Sequence, residues 1–142
     1  MRIYLAAPLF SLAERNFNAS VCDYLESMGH DVFLPQRDVT AKDHSDIFMQ
    51  DLGALHKMDV MVVVLDGADH DSGTSWEAGF AYCKQVPYVA IRTDFRNRGD
   101  DDWGNIMLTR SCHQVIRCET MEVLYRELKT YLDFMGDDCL ED

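Results

Sequence analysis

The chain has 142 residues, 47% of them hydrophobic, a length and composition suited to one globular domain. Its formal net charge of -12 argues against binding to nucleic-acid polymers or anionic membrane surfaces, because both attract basic proteins. Apolar runs are shorter than a membrane span and the N-terminus lacks a signal-peptide pattern, so we predict a cytoplasmic protein.

Apolar runs alternate with helical patterns from one end of the chain to the other. Residues 12–28 show the helical pattern most clearly, because apolar positions recur every three or four residues until Gly29. The predicted elements in chain order are strand 2–6, helix 12–28, strand 31–34, polar loop 36–45, helix 46–57, strand 60–65, helix 74–85, strand 88–92, polar loop 97–104, helix 105–111, strand 114–117, helix 120–134 and acidic tail 136–142.

This alternation predicts an α/β fold, a doubly wound five-stranded parallel sheet with helices on both faces. At this size the usual arrangement is the flavodoxin-like order 2-1-3-4-5, formed by a single domain over residues 1–142. The point where the strand order reverses then lies between strands one and three. It brings residues 6–11 beside residues 66–73, where sheets of this kind bind ligands.

The loops exclude several common functions. Loop 6–11 has no glycine, which argues against dinucleotide and triphosphate sites, and no acidic pair, which argues against a phospho-receiver domain. The chain has no Gly-x-Ser-x-Gly elbow, so a serine hydrolase is unsupported. The five cysteines form no CxxC pair and the histidines lack ligand spacing, which predicts reduced thiols and no metal site.

The segment 71–79 is the most informative part of the sequence. It follows the apolar strand 60–65, opens a helix, and carries Asp71 and Glu77 with no lysine or arginine beside them. Acids without a cationic partner at a strand end suggest an uncharged, hydroxyl-rich ligand. We expect Asp71 and Glu77 to lie together with Asp51 and Tyr4 at one edge of the sheet.

Each of these residues also has an ordinary structural explanation. The segment from Thr74 to Glu77 matches a capping box, in which the glutamate bonds the backbone at the helix start. Asp51 is explained equally well as a solvated helix acid, Asp71 as a turn residue, and Tyr4 as a strand residue with its ring in the core.

Beyond single residues, the chain resembles the nucleoside 2-deoxyribosyltransferases. The order and spacing of several short motifs carry this resemblance through most of the chain. The matching segments are residues 3–8, 50–52, 58–60, 71–81, 92–96 and 105–108. The fold that the resemblance implies is the doubly wound sheet derived above.

The resemblance implies a role for each acid. Glu77 corresponds to the family nucleophile, Asp51 to the acid that protonates the base, and Tyr4 to the tyrosine that positions the nucleophile. Asp71 corresponds to the residue that binds sugar hydroxyls. The implied reaction transfers 2-deoxyribose between nucleobases through a covalent glycosyl-glutamate, with net retention and without metal or cofactor.

The resemblance also implies substrate contacts at Gly73, Asn105 and Met107. Asn105 and Met107 form an Asn-x-Met element that in this family often comes from a neighbouring subunit. The implied partners are deoxynucleosides, free nucleobases and further copies of the chain, in a homo-oligomer with shared active sites.

Two alternatives remain open. One is a 2'-deoxynucleoside 5'-monophosphate N-glycosidase, a hydrolase that resembles this family but has a serine six residues before the glutamate, where this chain has Asp71. A carboxylate there would repel a phosphate. The other alternative is a non-catalytic nucleotide-sensing domain on the same architecture.

Overall fold

The computed structural model describes residues 1–96 and 104–138. Five strands and six helices alternate along these residues. Their bounds are β1 Arg2–Ala6, α1 Leu12–Ser27, β2 Asp31–Phe33, α2 Pro35–Asp38, α3 His44–Leu55, β3 Val60–Val64, α4 Ser72–Cys83, β4 Tyr88–Arg92, α5 Ile106–Ser111, β5 Gln114–Arg117 and α6 Met121–Asp138.

The strands form one sheet in the order β2-β1-β3-β4-β5, and every neighbouring pair is parallel. Ile3 pairs with Val60 and Ala6 with Val63, so β1 and β3 end side by side. The predicted fold class and strand order are therefore confirmed. The loops after β1 and β3 leave the same edge of the sheet, at the point where the strand order reverses.

Alternate residues of each strand face opposite sides of the sheet and build two apolar layers. One layer joins α1 and α6 to the sheet, and the apolar residues Val21, Leu25, Leu124 and Leu128 of these helices are buried there. The other layer packs α3, α4 and α5 against the opposite face. The sheet is thus covered on both sides, and β3 is buried along its whole length.

Several predicted boundaries were wrong. The predicted loop 36–45 contains most of α2, a short helix whose first residue is a proline. Helix α3 begins two residues earlier than predicted, and Asp43 is its N-cap. Helix α6 continues through residue 138, so the first part of the predicted acidic tail 136–142 is helical. Residues 97–103 of the predicted polar loop and residues 139–142 of the tail lie outside the described residues.

Among the described residues, no helix is both long enough and apolar enough to cross a bilayer.

Candidate active site

The start of α4 differs from the predicted capping box. Asp71 is the N-cap, and its Oδ2 accepts hydrogen bonds from the Thr74 backbone N–H at 2.8 Å and from Thr74 Oγ1 at 2.9 Å. Because the helix begins at Ser72, Glu77 lies in the second turn, too far along to bond the cap backbone. The capping-box explanation of Glu77 is therefore wrong, and its carboxylate is directed elsewhere.

Tyr4 links the two other predicted catalytic acids. Its hydroxyl lies 2.6 Å from Glu77 Oε1 and 3.3 Å from Asp51 Oδ1. The side chain is completely buried, and its ring stacks on Phe33 with centroids 5.4 Å apart. Tyr4 is therefore both a core residue and a hydrogen-bond donor to the carboxyl groups. With one proton to donate, the phenol favours the closer glutamate oxygen.

The surroundings shift the proton affinities of all three groups. Burial raises the pKa of Glu77 to about 7, and the nearby charges of Asp51 and Asp71 add to the rise. The hydrogen bond from Tyr4 opposes this shift, because it stabilises the carboxylate. Burial also raises the pKa of Asp51. The pKa of Tyr4 is raised by burial and by Glu77, so its phenol remains protonated and available as a donor.

A cavity of about 330 Å³ opens above these acids. Its lining consists of Phe48, Asp51, Leu52, Leu55, Gly73, Trp76 and Glu77. A Cβ atom on Gly73 would lie 3.2 Å from Asp71 Oδ2, so a larger residue would crowd both the cavity and the helix cap. The predicted residues Glu77, Asp51 and Gly73 therefore line one cavity, with Tyr4 beneath the two acids and Asp71 at the helix start.

Two aromatic side chains in this lining were not predicted as site residues. Phe48 and Trp76 are each about half exposed, and their rings meet edge to face with centroids 6.1 Å apart. Their positions carried a signal, because Phe48 lies one helical turn before Asp51 and Trp76 immediately precedes Glu77. They give the cavity an apolar wall suited to a flat ring.

The predicted residues Asn105 and Met107 line a different cavity, of about 400 Å³. They share it with the opposite face of α4, through Ser75, Gly79 and Tyr82. Asn105 caps α5 by accepting a hydrogen bond from the Met107 backbone N–H at 2.9 Å, and the Met107 side chain is 75% exposed. Within one chain, the structure does not bring this pair into the cavity of Glu77.

Comparisons with known proteins agree with this architecture. Residues 3–130 match the protein family described as nucleoside 2-deoxyribosyltransferase. A conserved protein from Enterococcus faecalis V583 superposes with a TM-score of 0.77 and 28% identity, covering 92% of this chain and 98% of its own. A 2-deoxyribosyltransferase from Bacillus psychrosaccharolyticus superposes with a TM-score of 0.74 and 23% identity, covering 90% of each chain.

A third structure, a CMP N-glycosidase from Clostridium botulinum, has a TM-score of 0.70 and 17% identity, covering 92% of this chain and 99% of its own. At such identities the second and third structures show a shared fold. Curated protein sequences gave no significant match. Because the family match spans nearly the whole chain and agrees with the observed sheet order, the chain belongs to the nucleoside 2-deoxyribosyltransferase family.

Proposed function

We propose that this protein transfers 2-deoxyribose from one nucleobase to another, with Glu77 as the nucleophile. The observation that carries the proposal is the partly buried contact of Tyr4 with Glu77 at 2.6 Å, beside Asp51 and beneath an open cavity. A carboxyl group held in this way can approach an anomeric carbon from one side. A second carboxyl group in the same cavity can exchange a proton with the base.

In the first half of the reaction, the Glu77 carboxylate forms a bond to the anomeric carbon of a deoxynucleoside. The bond from that carbon to the base nitrogen breaks, and its electron pair leaves with the base. Asp51 delivers a proton to the departing base, a step suited to a carboxyl group whose pKa is raised by burial. The product is a deoxyribosyl ester of Glu77 and a free base.

In the second half, a different base attacks the anomeric carbon from the face that the first base left. The ester bond breaks and Glu77 returns to a carboxylate, while Asp51 accepts the proton that the incoming base loses. Two displacements at one carbon give net retention of configuration. Neither half needs a redox partner or a metal ion to balance.

Four further residues, three in the lining of this cavity and Asp71 at the start of α4, are assigned to binding. Asp71 Oδ2 is fixed by Thr74, and we assign the other carboxylate oxygen, Oδ1, to a sugar hydroxyl. The half-exposed rings of Phe48 and Trp76 are suited to stack against a nucleobase. Gly73 keeps the space between the cap and the cavity open.

The second cavity supports a homo-oligomeric enzyme. Met107 is largely exposed and Asn105 lies on the far side of α4 from Glu77, so neither closes the site of its own chain. We propose that they enclose the sugar in a neighbouring subunit. Enclosure in the oligomer excludes water and favours transfer to a base over hydrolysis.

A second candidate function is hydrolysis of a nucleoside 5'-monophosphate, favoured by the structural similarity to the Clostridium botulinum CMP N-glycosidase. The position of Asp71 speaks against it. A helix N-terminus is a natural phosphate site, but here the Asp71 carboxylate already accepts the Thr74 N–H. A phosphate at this place would meet a negative charge instead of a free amide donor.

The decisive assay incubates the protein with deoxyinosine, with and without free adenine, and separates the products. A transferase makes deoxyadenosine only when adenine is present. It then also releases hypoxanthine faster than slow hydrolysis does without adenine. Release of deoxyribose at a rate independent of adenine, or turnover of deoxynucleoside monophosphates in preference to nucleosides, would support the hydrolase. Binding of deoxynucleosides without turnover of either class would support a sensor.

A further inference from the structure

The start of α5 is held by a side chain from the loop that precedes α4. The Asn105 backbone N–H donates a hydrogen bond to His70 Nε2 at 3.2 Å. Gly104 lies against the same imidazole ring, with a φ of +118°, and a Cβ atom there would lie 2.5 Å from Nε2. Glycine is required at this position both for the backbone conformation and for the close approach of the ring.

This contact holds the start of a short helix whose middle is held by the buried side chain of Leu108. Helix α5 has six residues, fewer than a helix needs to be stable without tertiary support. In the middle of the helix, the Tyr88 hydroxyl donates to the Leu108 carbonyl at 2.8 Å. At its start, Asn105 accepts the N–H groups of Met107, Leu108 and Thr109, so the position of Asn105 sets the direction of the first turn.

The imidazole of His70 accepts this hydrogen bond in its neutral form. Nε2 must have a free lone pair to accept an N–H, which assigns the proton of the neutral ring to Nδ1. Nδ1 is buried and has no hydrogen-bond partner among the described residues. The contact with Asn105 is the hydrogen bond that the described residues form with this ring, and the Leu65 carbonyl also lies close enough to interact with it.

We propose that His70 is a positioning residue for the sugar pocket of a neighbouring subunit, acting through α5. The inference rests on the proposed function, in which Asn105 and Met107 serve the neighbour. In sequence, His70 is next to Asp71 of its own site. Its hydrogen bond nevertheless goes to the element that lines the other cavity. Loss of the imidazole should therefore damage the partner's site and leave its own chemistry intact.

Proton uptake should release α5, because a protonated ring carries an N–H at Nε2 that would face the amide N–H. Burial lowers the pKa of His70 and so does the charge of Arg92 on β4. The Leu65 carbonyl and the carboxylates of Asp69 and Asp66 act in the opposite direction. The net shift is downward, so the contact is intact at neutral pH and is lost only in more acidic solution.

In the test, two inactive or weakened variants are co-expressed, each with its own affinity tag. Mixed oligomers are purified by both tags in turn and assayed for deoxyribosyl exchange. The pair His70→Ala with Glu77→Ala should regain activity, because the intact Glu77 of one chain is served by the intact α5 of the other. The pair His70→Ala with Asn105→Ala should regain none, because both chains then supply a defective α5. A failure of the first pair to recover would place His70 in its own site and overturn the proposal.

The control pair, Glu77→Ala with Asn105→Ala, separates this inference from the proposed function. If the control regains activity and the His70 pair does not, only the inference is overturned. If the control does not regain activity despite mixed oligomers, the shared site itself is wrong and the inference falls with it. Recovery in both pairs supports both claims.

Kinetics of the single variants distinguish positioning from a general loss of structure. His70→Ala should raise the KM for the deoxynucleoside about tenfold, with a smaller change in kcat. His70→Gln, whose side-chain oxygen can accept the Asn105 N–H, should recover most of this loss. In the parent protein, KM should rise in acidic solution as His70 is protonated, and this rise should be absent from His70→Gln. A KM that is unchanged in a folded His70→Ala protein, or equal losses in both variants, would contradict the positioning role.

Discussion

The two sides of helix α4 are built differently. On one side, Glu77 shares a hydrogen-bonded, partly buried cluster with Tyr4 and Asp51. On the other side, Ser75 and its helical neighbours face α5, which presents Met107 to the surface. The cluster of carboxyl groups on the first side is formed within one chain, while on the second side the described residues leave the apolar side chain of Met107 largely uncovered.

This difference suggests that chemistry and enclosure are separate tasks in this protein. The groups that make and break bonds are held by the sheet and by the core, where hydrogen bonds and burial can set their pKa values. The groups proposed to surround the sugar are carried on a short helix that packs at the edge of the second apolar layer. Changes on the first side should therefore affect kcat and proton affinity, and changes on the second should affect KM and assembly.

The largest effect is expected from Glu77→Gln, which removes the nucleophile and keeps the shape. Exchange activity should fall at least about 10³-fold, while the circular dichroism spectrum and oligomer size remain unchanged. Glu119→Gln, at an exposed glutamate, is the matched control and should retain full activity. Near-normal exchange by the folded Glu77→Gln protein would contradict the assignment of Glu77 as the nucleophile.

Asp51→Asn should lower exchange by about 10²- to 10⁴-fold, because the amide cannot deliver a proton to the departing base. The loss should be greatest for bases that are poor leaving groups and small for activated ones. Rates measured with a series of deoxynucleosides test this dependence. An equal loss across the series would indicate a role in folding or positioning instead.

Glu77→Gln should also change stability with pH. The pKa of Glu77 is about 7 in the folded protein and near 4.5 when unperturbed, so stability falls as pH rises from 4.5 through 7. The difference corresponds to about 3 kcal/mol at pH 8, which the neutral glutamine should recover. Denaturant unfolding should show the variant more stable at pH 8 and equal to the parent near pH 4. Equal stability at pH 8 would contradict the raised pKa.

Tyr4→Phe is predicted to move the acid limb of the kcat/KM profile to higher pH. The phenol lowers the pKa of Glu77 by donating a hydrogen bond to its carboxylate, so its removal should raise that pKa by roughly one unit. A pH profile of both proteins measures the shift. A downward shift, or none, would mean that the hydrogen bond does not stabilise the nucleophile.

The smallest effect is expected from Met107→Ala. Because the side chain is 75% exposed, the free energy of unfolding of the separated chain should change by less than about 0.5 kcal/mol. The KM for the deoxynucleoside should rise several-fold, and the oligomer should weaken. Lys129→Ala, at an exposed residue of α6, is the control for a surface change. A loss in kcat with no change in KM would contradict the proposal that this side of α4 affects sugar binding and not the chemical steps.

The fold was predictable because its signals are local and repeated. Val60 and the apolar residues that follow it could only form a central strand, and the alternation of elements then led to the strand order. The N-cap of α4 was misplaced by three residues, because Asp71 and Thr74 are both good N-caps and only the observed hydrogen bond decides between them.

The site was less accessible to sequence reasoning, because its contacts join distant parts of the chain. Tyr4 and Glu77 are 73 residues apart, and the predicted strand order placed them at one edge of the sheet without predicting the hydrogen bond between them. No spacing rule connects His70 with Asn105, 35 residues later. The separation of Asn105 from Glu77 likewise depends on which face of α4 each one meets, and the motif itself carries no information on that point.

The most direct test of the central claim is the covalent intermediate on Glu77. The protein is mixed with a deoxynucleoside in the absence of an acceptor base, quenched in acid, digested and analysed by mass spectrometry. The Glu77 peptide should gain the mass of one deoxyribosyl unit, lose it when a free base is added before the quench, and gain nothing in Glu77→Gln. Continued exchange without any adduct on this peptide, or an adduct on another residue, would contradict the assignment of Glu77 as the nucleophile.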